Sequence, residues 1–361
     1  MIAPRLRRPL VAAMAAGLLV GGTAAAQQPQ QEVAPLDPPE QVRVAVVPIM
    51  KFATLYVAAE RGIFEQYGLD VAVEGVASGT EAIAFLEEGQ IDVGGIAIVT
   101  SLWNGWDQGI DIRVFAPGGL EPFEDSPTKF MVRADLFESG AVDSIEELAG
   151  HTVAMAGGPG SGGEYLSAKA LELGGLTIRD VTPIDMPNAD MPAAFANGSI
   201  DAALLGSPFA EQVEADGTAV PIATDLVPGL MTVAFVGSGQ FLNERPEAAQ
   251  RFALALLEAA RLMQGDEYLA DENMAAYLTY VDSTEEAIRT GTPVFYDPDL
   301  DIPVEGLADI ERVHRENGRT EYDDPIDLGS VVVNDFAEWA REMAGPYEGA
   351  IDEETGETIP E

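Results

Sequence analysis

The chain has 361 residues, of which 47% are hydrophobic, so it is long enough for two domains with substantial apolar cores. It carries 61 acidic and 19 basic residues, a net charge of −42, which excludes nucleic-acid binding because phosphate contacts need a basic surface. It has no cysteine and only two histidines, His151 and His314, so disulfides, thiolate metal sites, a cysteine nucleophile and a histidine-rich metal site are excluded. We therefore expect no cofactor and no bound metal, and surface positions for both histidines.

Residues 1–26 have the pattern of a secretory signal peptide. Arginines 5, 7 and 8 precede the apolar run 10–20, and alanines 24–26 supply the small residues of a cleavage site. The apolar run is too short for a stable membrane anchor, and no cysteine follows that could carry a lipid. We expect an exported, periplasmic protein without a lipid anchor, by either the general or the twin-arginine route.

Residues 27–40 form a polar, proline-rich linker, after which strand-like and helix-like runs alternate. In the first series, strands are predicted at 41–49, 69–77, 91–97 and 111–117, and helices at 53–67, 79–88 and 99–108. Regular strand–helix alternation of this kind predicts a parallel sheet that is covered by helices on both faces.

A second series of strands and helices follows the first, and the pattern then changes to helices alone. The second-series strands are predicted at 128–135, 152–156, 181–187, 200–208, 219–224 and 230–238, with helices at 144–148, 191–196 and 209–215 among them. The later helices are predicted at 246–264, 273–281, 284–289, 304–317 and 331–343.

This order predicts an α/β fold of two lobes between which the chain crosses twice. Lobe 1 would comprise residues 41–131 and 236–344, with the C-terminal helices packed on it, and lobe 2 residues 132–235. Residues 345–361 would form an acidic tail.

The segment HTVAMAGGPGSGGEYLSAKALELGGL, residues 151–176, is typical of a strand, a glycine-rich loop and a helix. The bare amides of loop 157–163 and the following helix N-terminus suit a carboxylate, sulfonate, nitrate or phosphate group. Three interpretations compete: a turn without a ligand, a dinucleotide fingerprint at Gly158, Gly160 and Gly163, or one wall of a small-anion site. The fingerprint is disfavoured because it should follow the first strand of its fold, whereas this loop opens lobe 2.

Several further segments carry a family resemblance through their order and spacing. They are VPIMKFATLYVAAERGIFEQYGLDV, VASGTEAIAFLEEGQIDVGGIA, SIEELAGHTVAMAGGPGSGGEYLSAKALELGGL, AFANGSIDAALLGSPFAEQ, FLNERPEAAQRFALALLEAA and NDFAEWA. From residue 42 to about residue 343, the chain resembles the periplasmic substrate-binding proteins of ABC importers, of the nitrate, sulfonate, taurine and thiamine-precursor type.

The resemblance implies a type II periplasmic binding fold, with two lobes, two hinge strands and a ligand clamped between the lobes. It also implies a monomeric receptor that delivers a small-molecule ligand to a membrane permease and is not an enzyme. An exported enzyme with the same fold is the minority alternative.

Ligands of α/β sheets bind beyond the carboxyl ends of the strands, and this rule selects the candidate ligand-binding residues. They are Pro48, Lys51, Phe52, Ser78, Gly79, Thr80, Ile96, Ala97 and Pro117 in lobe 1, and Gly160, Ser161, Gly162, Asn188, Ser207, Pro208 and Phe209 in lobe 2.

Two of these loops match family patterns. Residues 160–162 match the family's glycine-serine loop. Residues 207–209 match a Trp-Glu-Pro-Phe-like turn, with Gly206 and Ser207 in place of the tryptophan and the acid. Loss of the tryptophan leaves room for a ligand bulkier than nitrate.

The candidate loops contain no arginine, so two ligand classes stay open. A small organic or inorganic anion, of the sulfonate, nitrate or carboxylate type, would depend on amides, hydroxyls and Lys51. A neutral or aromatic heterocycle, such as a thiamine-precursor pyrimidine, could stack on Phe52, Phe209 or Tyr296.

The excess of acidic residues is spread along the whole chain, which indicates a solvated surface adapted to high salt. We expect the melting temperature to rise between about 0.1 M and about 1 M potassium chloride, because salt screens the repulsion between carboxylates. Calorimetry of the purified protein at several salt concentrations measures this effect. A melting temperature that stays constant or falls would contradict the adaptation.

Overall fold

The structure is a computed structural model that describes residues 33–347, 349–351 and 358–359. The predicted signal peptide, residues 27–32 of the predicted linker and much of the predicted acidic tail lie outside the described residues. In the described part of the chain, no helix is both long enough and apolar enough to cross a membrane.

Strands and helices alternate through the first two thirds of the described chain, and helices dominate the remainder. The strands are β1 (Glu40–Val46), β2 (Leu69–Gly75), β3 (Val93–Ala97), β4 (Ile112–Pro117), β5 (Lys129–Arg133), β6 (Thr152–Met155), β7 (Thr182–Asp185), β8 (Ala202–Leu205), β9 (Ala219–Ala223), β10 (Val233–Ser238), β11 (Ala350–Ile351) and β12 (Thr358–Ile359). The helices are α1 (Ala53–Glu60), α2 (Ile63–Gln66), α3 (Gly79–Glu87), α4 (Thr100–Asp107), α5 (Ala134–Glu138), α6 (Gly162–Glu172), α7 (Met191–Asn197), α8 (Phe209–Ala215), α9 (Gly239–Glu244), α10 (Pro246–Arg261), α11 (Asp271–Tyr280), α12 (Glu285–Thr290), α13 (Val304–Glu316), α14 (Leu328–Val331) and α15 (Asp335–Ala344). Short 3-10 helices occupy Met50–Phe52, Ile145–Leu148, Asn188–Asp190 and Gly265–Leu269.

Two five-stranded sheets carry the fold. The first has the order β2-β1-β3-β10-β4, and the second has the order β7-β6-β8-β5-β9. In each sheet one strand, β10 or β5, runs antiparallel to both of its neighbours. Each of these is the first strand after the chain has passed from the other sheet, so the crossing reverses the strand direction. The predicted two-lobed α/β fold is confirmed.

The chain passes between the sheets through two segments, residues 118–128 and residues 224–232. We name them the first and second crossing segments. The predicted crossing points at 132 and 235 lie a few residues further on, inside β5 and β10. The predicted linker continues directly into β1, and the Leu36 amide donates to the Tyr67 carbonyl at 3.1 Å. The division of the whole chain into lobes stays a prediction.

Helix α10 is the centre of the apolar packing behind the first sheet. Its small and aliphatic residues are buried, including Phe252, whose ring stacks on Phe64 with centroids 4.9 Å apart. Alanines along this face let α10 approach α1 and α15 closely. Helices α10 and α15 of the C-terminal segment therefore pack on the first lobe, as predicted.

Two predicted helices are interrupted for identifiable reasons. The helix predicted at 53–67 breaks into α1 and α2 at Gly62, which has a left-handed φ of 68°. The helix predicted at 331–343 breaks between α14 and α15. There the Val333 amide donates to the carbonyl of Val114 in β4 at 2.8 Å, so this residue extends the sheet edge instead of a helix.

Helix α13 contacts both lobes, which the sequence did not predict. Its buried Leu307, Ile310 and Val313 belong to one apolar cluster with residues of α4 and α6. Asp309 of α13 accepts from the Tyr165 hydroxyl of α6 at 2.8 Å. This part of the C-terminal segment therefore joins the lobes in addition to the crossing segments.

The prediction of a surface role for His314 was wrong, because its side chain is fully buried in α13. Its Nδ1 accepts from the Trp103 indole of α4 at 3.1 Å, and its ring meets Tyr165 of α6 edge to face. Burial lowers the pKa of His314, while the Ser161 carbonyl and Glu164 oppose that shift.

The lowered pKa of His314 makes stability depend on pH. Below about pH 6.5, the unfolded chain binds a proton that the folded protein resists, so stability falls as pH falls, by at most about 1.4 kcal/mol per pH unit. His314→Gln keeps an acceptor for Trp103 but does not titrate. We expect this variant to show a weaker dependence of stability on pH. Urea unfolding of parent and variant between about pH 7.5 and about pH 5.5 measures it. Equal slopes would contradict this role.

Candidate functional site

Loops at the carboxyl ends of strands in the two sheets meet where Thr100 contacts Gly160. Thr100, which begins α4 after β3, donates from its amide and its hydroxyl to the Gly160 carbonyl, at 3.2 Å and 3.0 Å. Gly160 belongs to the glycine-rich loop after β6 in the second sheet. We use "cleft edge" for the loops on both sides of this contact.

The glycine-rich loop is fixed mostly by its own hydrogen bonds. The Ser161 hydroxyl donates to the Ala156 carbonyl at 2.8 Å and accepts from the Glu164 amide at 3.1 Å, so it caps α6. Gly160 is buried, has a φ of 76°, and has no room for a Cβ, which would lie 2.0 Å from the Thr100 hydroxyl oxygen. At Gly162, by contrast, an added Cβ would meet no atom within 4 Å.

A buried carboxylate holds this loop from behind. The side chain of Glu164 accepts from the Gly160 amide at 3.2 Å and binds the Arg319 guanidinium at 2.9 Å and 2.8 Å. Glu164 is only 3% exposed, so Arg319 supplies the compensating charge. The hydrogen bonds that Arg319 donates to Glu164 raise the pKa of Arg319. The Gly160 amide is consequently occupied by Glu164.

Lys51 lies at the cleft edge of the first sheet and is paired internally. Its ammonium group donates to a Glu121 carboxylate oxygen and, at 2.7 Å, to the Thr232 hydroxyl. That hydroxyl donates to the same Glu121 oxygen at 3.1 Å. Glu121 lies in the first crossing segment and Thr232 in the second, so the three side chains, the Lys51 triad, join both segments to the loop after β1.

The remaining candidates of the first lobe differ in accessibility. Phe52 and Ile96 are fully buried, and Phe52 packs edge to face on Phe235 with centroids 5.3 Å apart, which argues against ligand contact. Pro117 is also buried. Exposed or partly exposed positions are Pro48, Ser78, Gly79, Thr80 and Ala97. The Thr80 hydroxyl donates to Ser101 at 3.2 Å, and Ser78 caps α3.

The remaining second-lobe candidates follow β7 and β8. Asn188 begins a 3-10 helix and is partly exposed, while Ser207 and Pro208 are exposed. Phe209 begins α8 and is half-buried against the apolar cluster under that helix. Tyr296 is buried, and its hydroxyl donates to the Met50 carbonyl, so it is a core residue. Their roles toward a ligand stay predictions.

A family model, described as the NMT1-like family, matches residues 36–279. The chain belongs to the NMT1-like family. A putative binding protein of Brucella abortus is 26% identical over 217 residues, which are 56% of this chain and 60% of that protein. The matched region therefore spans less than two thirds of the curated relative's length.

Solved structures share the fold of this NMT1-like protein. A putative periplasmic sulfonate-binding protein from Methylobacillus flagellatus has a TM-score of 0.67 at 17% identity, covering 84% of this chain and 94% of its own. The periplasmic nitrate-binding protein from Synechocystis has a TM-score of 0.60 at 18% identity, covering 84% and 88%. A desulfurization enzyme also aligns, with a TM-score of 0.58 at 17% identity, covering 83% and 98%. The fold is that of two-lobed periplasmic binding proteins.

Several residues of the candidate site were not predicted from the sequence. Thr100 and Ser101 follow β3 at the edge that the strand-end rule already selects, three or four residues beyond the candidates taken. Glu121 lies outside every predicted element, and Thr232 lies inside the strand predicted at 230–238, so the strand-end rule selects neither residue. Arg319 lies 155 residues from its partner Glu164, and no sequence signal connects the two.

The two glycines of the loop differ in a way that can be measured. We expect Gly160→Ala to destabilise the protein by about 1–3 kcal/mol, because alanine disfavours the left-handed φ and its Cβ would strike Thr100. Gly162→Ala should change stability by less than about 1 kcal/mol, because the position is open and helical. Urea unfolding of both variants compares them. Equal losses would contradict the geometry.

Proposed function

We propose that this NMT1-like protein is the exported receptor of an ABC importer, which binds a small solute between its lobes and delivers it to a membrane permease. One observation carries the proposal. Carboxyl-end loops of two separate sheets meet at Thr100 and Gly160, while two crossing segments connect the sheets. This geometry allows the two lobes to move about a hinge and close on a solute.

Three further observations support a receptor rather than an enzyme. The aligned sulfonate-binding and nitrate-binding proteins have binding functions in their names. The chain has no cysteine, so cysteine chemistry is unavailable to it. Its two histidines are engaged elsewhere: His314 is buried against Trp103, and His151 is paired with Asp201 at 3.0 Å. We propose a monomer in the periplasm, with export by the predicted signal peptide.

Two ligand classes stay candidates. A sulfonate, nitrate or carboxylate is favoured by the names of the aligned proteins and by the predicted glycine-loop site. A neutral or aromatic heterocycle is favoured by the cleft edge, because Lys51 is already paired with Glu121 and Arg319 with Glu164. The pairing leaves an anion without a free cation among the described residues of this edge, so we place the uncharged class first.

The proposal is tested by ligand-induced closure. A thermal-shift screen of sulfonates, nitrate, aromatic acids and pyrimidines should identify a stabilising solute, and that solute should reduce the radius of gyration in small-angle scattering. As a control, the same screen is repeated on protein that has been unfolded by heat and refolded without solute. Turnover of the stabilising solute would instead favour the enzyme alternative. A stabilising solute that leaves the scattering unchanged would contradict the clamp.

A further inference from the structure

The Lys51 triad has consequences for which solutes the proposed cleft accepts. The Lys51 side chain keeps 22% of its surface accessible, and the Glu121 side chain keeps 11%. The lysine is therefore the more accessible of the two side chains, and the carboxylate is accessible over a smaller part of its surface. A solute arriving at Lys51 meets an ammonium group whose charge is already balanced.

The Lys51 triad keeps hydrogen-bond donors and acceptors that its own hydrogen bonds do not occupy. An ammonium group has three N–H donors, and Lys51 spends two of them, on Glu121 and Thr232. A carboxylate has two oxygens, and all of the side-chain hydrogen bonds found for Glu121 within the described residues go to Oε1. One N–H of Lys51 and the second oxygen of Glu121 can thus bind a solute as an adjacent donor and acceptor.

We propose that Glu121 is a selectivity residue. By neutralising Lys51, it makes the cleft prefer solutes of zero net charge that offer both an acceptor and a donor, and reject simple anions. An anion at Lys51 would lie close to the Glu121 carboxylate, and the repulsion between like charges at an unscreened site opposes binding. This inference rests on the proposed function, since it concerns the same cleft.

A charge-removing substitution tests the inference by a gain of binding. Glu121→Gln keeps the shape and an acceptor for Lys51 but frees its charge. We expect this variant to bind ethanesulfonate at least about tenfold more tightly than the parent, by calorimetry at low salt. Glu124→Gln is the matched control, because Glu124 is exposed on the same crossing segment and its loss changes the net charge equally. It should leave ethanesulfonate binding unchanged.

A second variant separates the role of Lys51 from general electrostatics. Lys51→Met combined with Glu121→Gln should lose the gain, since the freed ammonium group is then absent. If the double variant keeps the gain, or if Glu124→Gln produces it too, the effect comes from the overall charge and the inference is wrong. A structural role of Glu121 alone would lower stability without producing a new affinity.

The parent protein gives a readout that does not depend on any variant folding. We expect it to bind ethanesulfonate only weakly, with a Kd above about 1 mM, and to bind its zero-net-charge analogue taurine more tightly. Tight binding of ethanesulfonate together with lobe closure would overturn the inference and leave the proposed function intact. Failure of the whole solute screen in parent and variants alike would count against both.

Discussion

The buried carboxylate of Glu164 is the interaction on which the geometry of the glycine-rich loop depends. It accepts from the Gly160 amide and is neutralised by Arg319, which enters from beyond α13. An unpaired carboxylate at this depth would cost several kcal/mol. The glycine-rich loop, α6 and the segment that carries Arg319 therefore stabilise one another through Glu164. The sequence suggested an anion-binding loop. Within the structure, the anion at the Gly160 amide is supplied by the protein itself.

Other basic side chains of this acidic chain are also paired with carboxylates. Its three lysines all bind carboxylates: Lys51 pairs with Glu121, Lys129 with Glu214, and Lys169 with Glu172 and Asp309. In this chain with few basic residues, the lysines lie where a carboxylate of the protein needs a counter-charge. The charge at the cleft edge is consequently set by ion pairs within the protein as much as by any ligand.

The sequence predicted the strands and most helices because their signals are local. Strand β8, Ala202–Leu205, is a short apolar run buried on both faces, and α8 begins and ends where its pattern predicts. Features that depend on distant partners were not predictable. Val333 leaves the helical pattern because Val114 offers a backbone carbonyl, and His314 is buried because Trp103 and Tyr165 enclose it. At the cleft edge, the strand ends and the glycine-rich loop lie where the sequence predicts them, whereas the contacts of Glu121, Thr232 and Arg319 depend on tertiary structure. Ligand contact at any of these residues stays a prediction.

The antiparallel strands β5 and β10 bear on how the molecule is made. The second sheet is drawn entirely from residues 129–223, but the first lacks its inner strand β10 until residue 238 has been synthesised. Until then, β3 and β4 have no strand between them, and their edges stay open. A chain that is synthesised from its N-terminus can thus complete its second lobe before its first. The lobe that begins first in the sequence is therefore the second to acquire all of its strands.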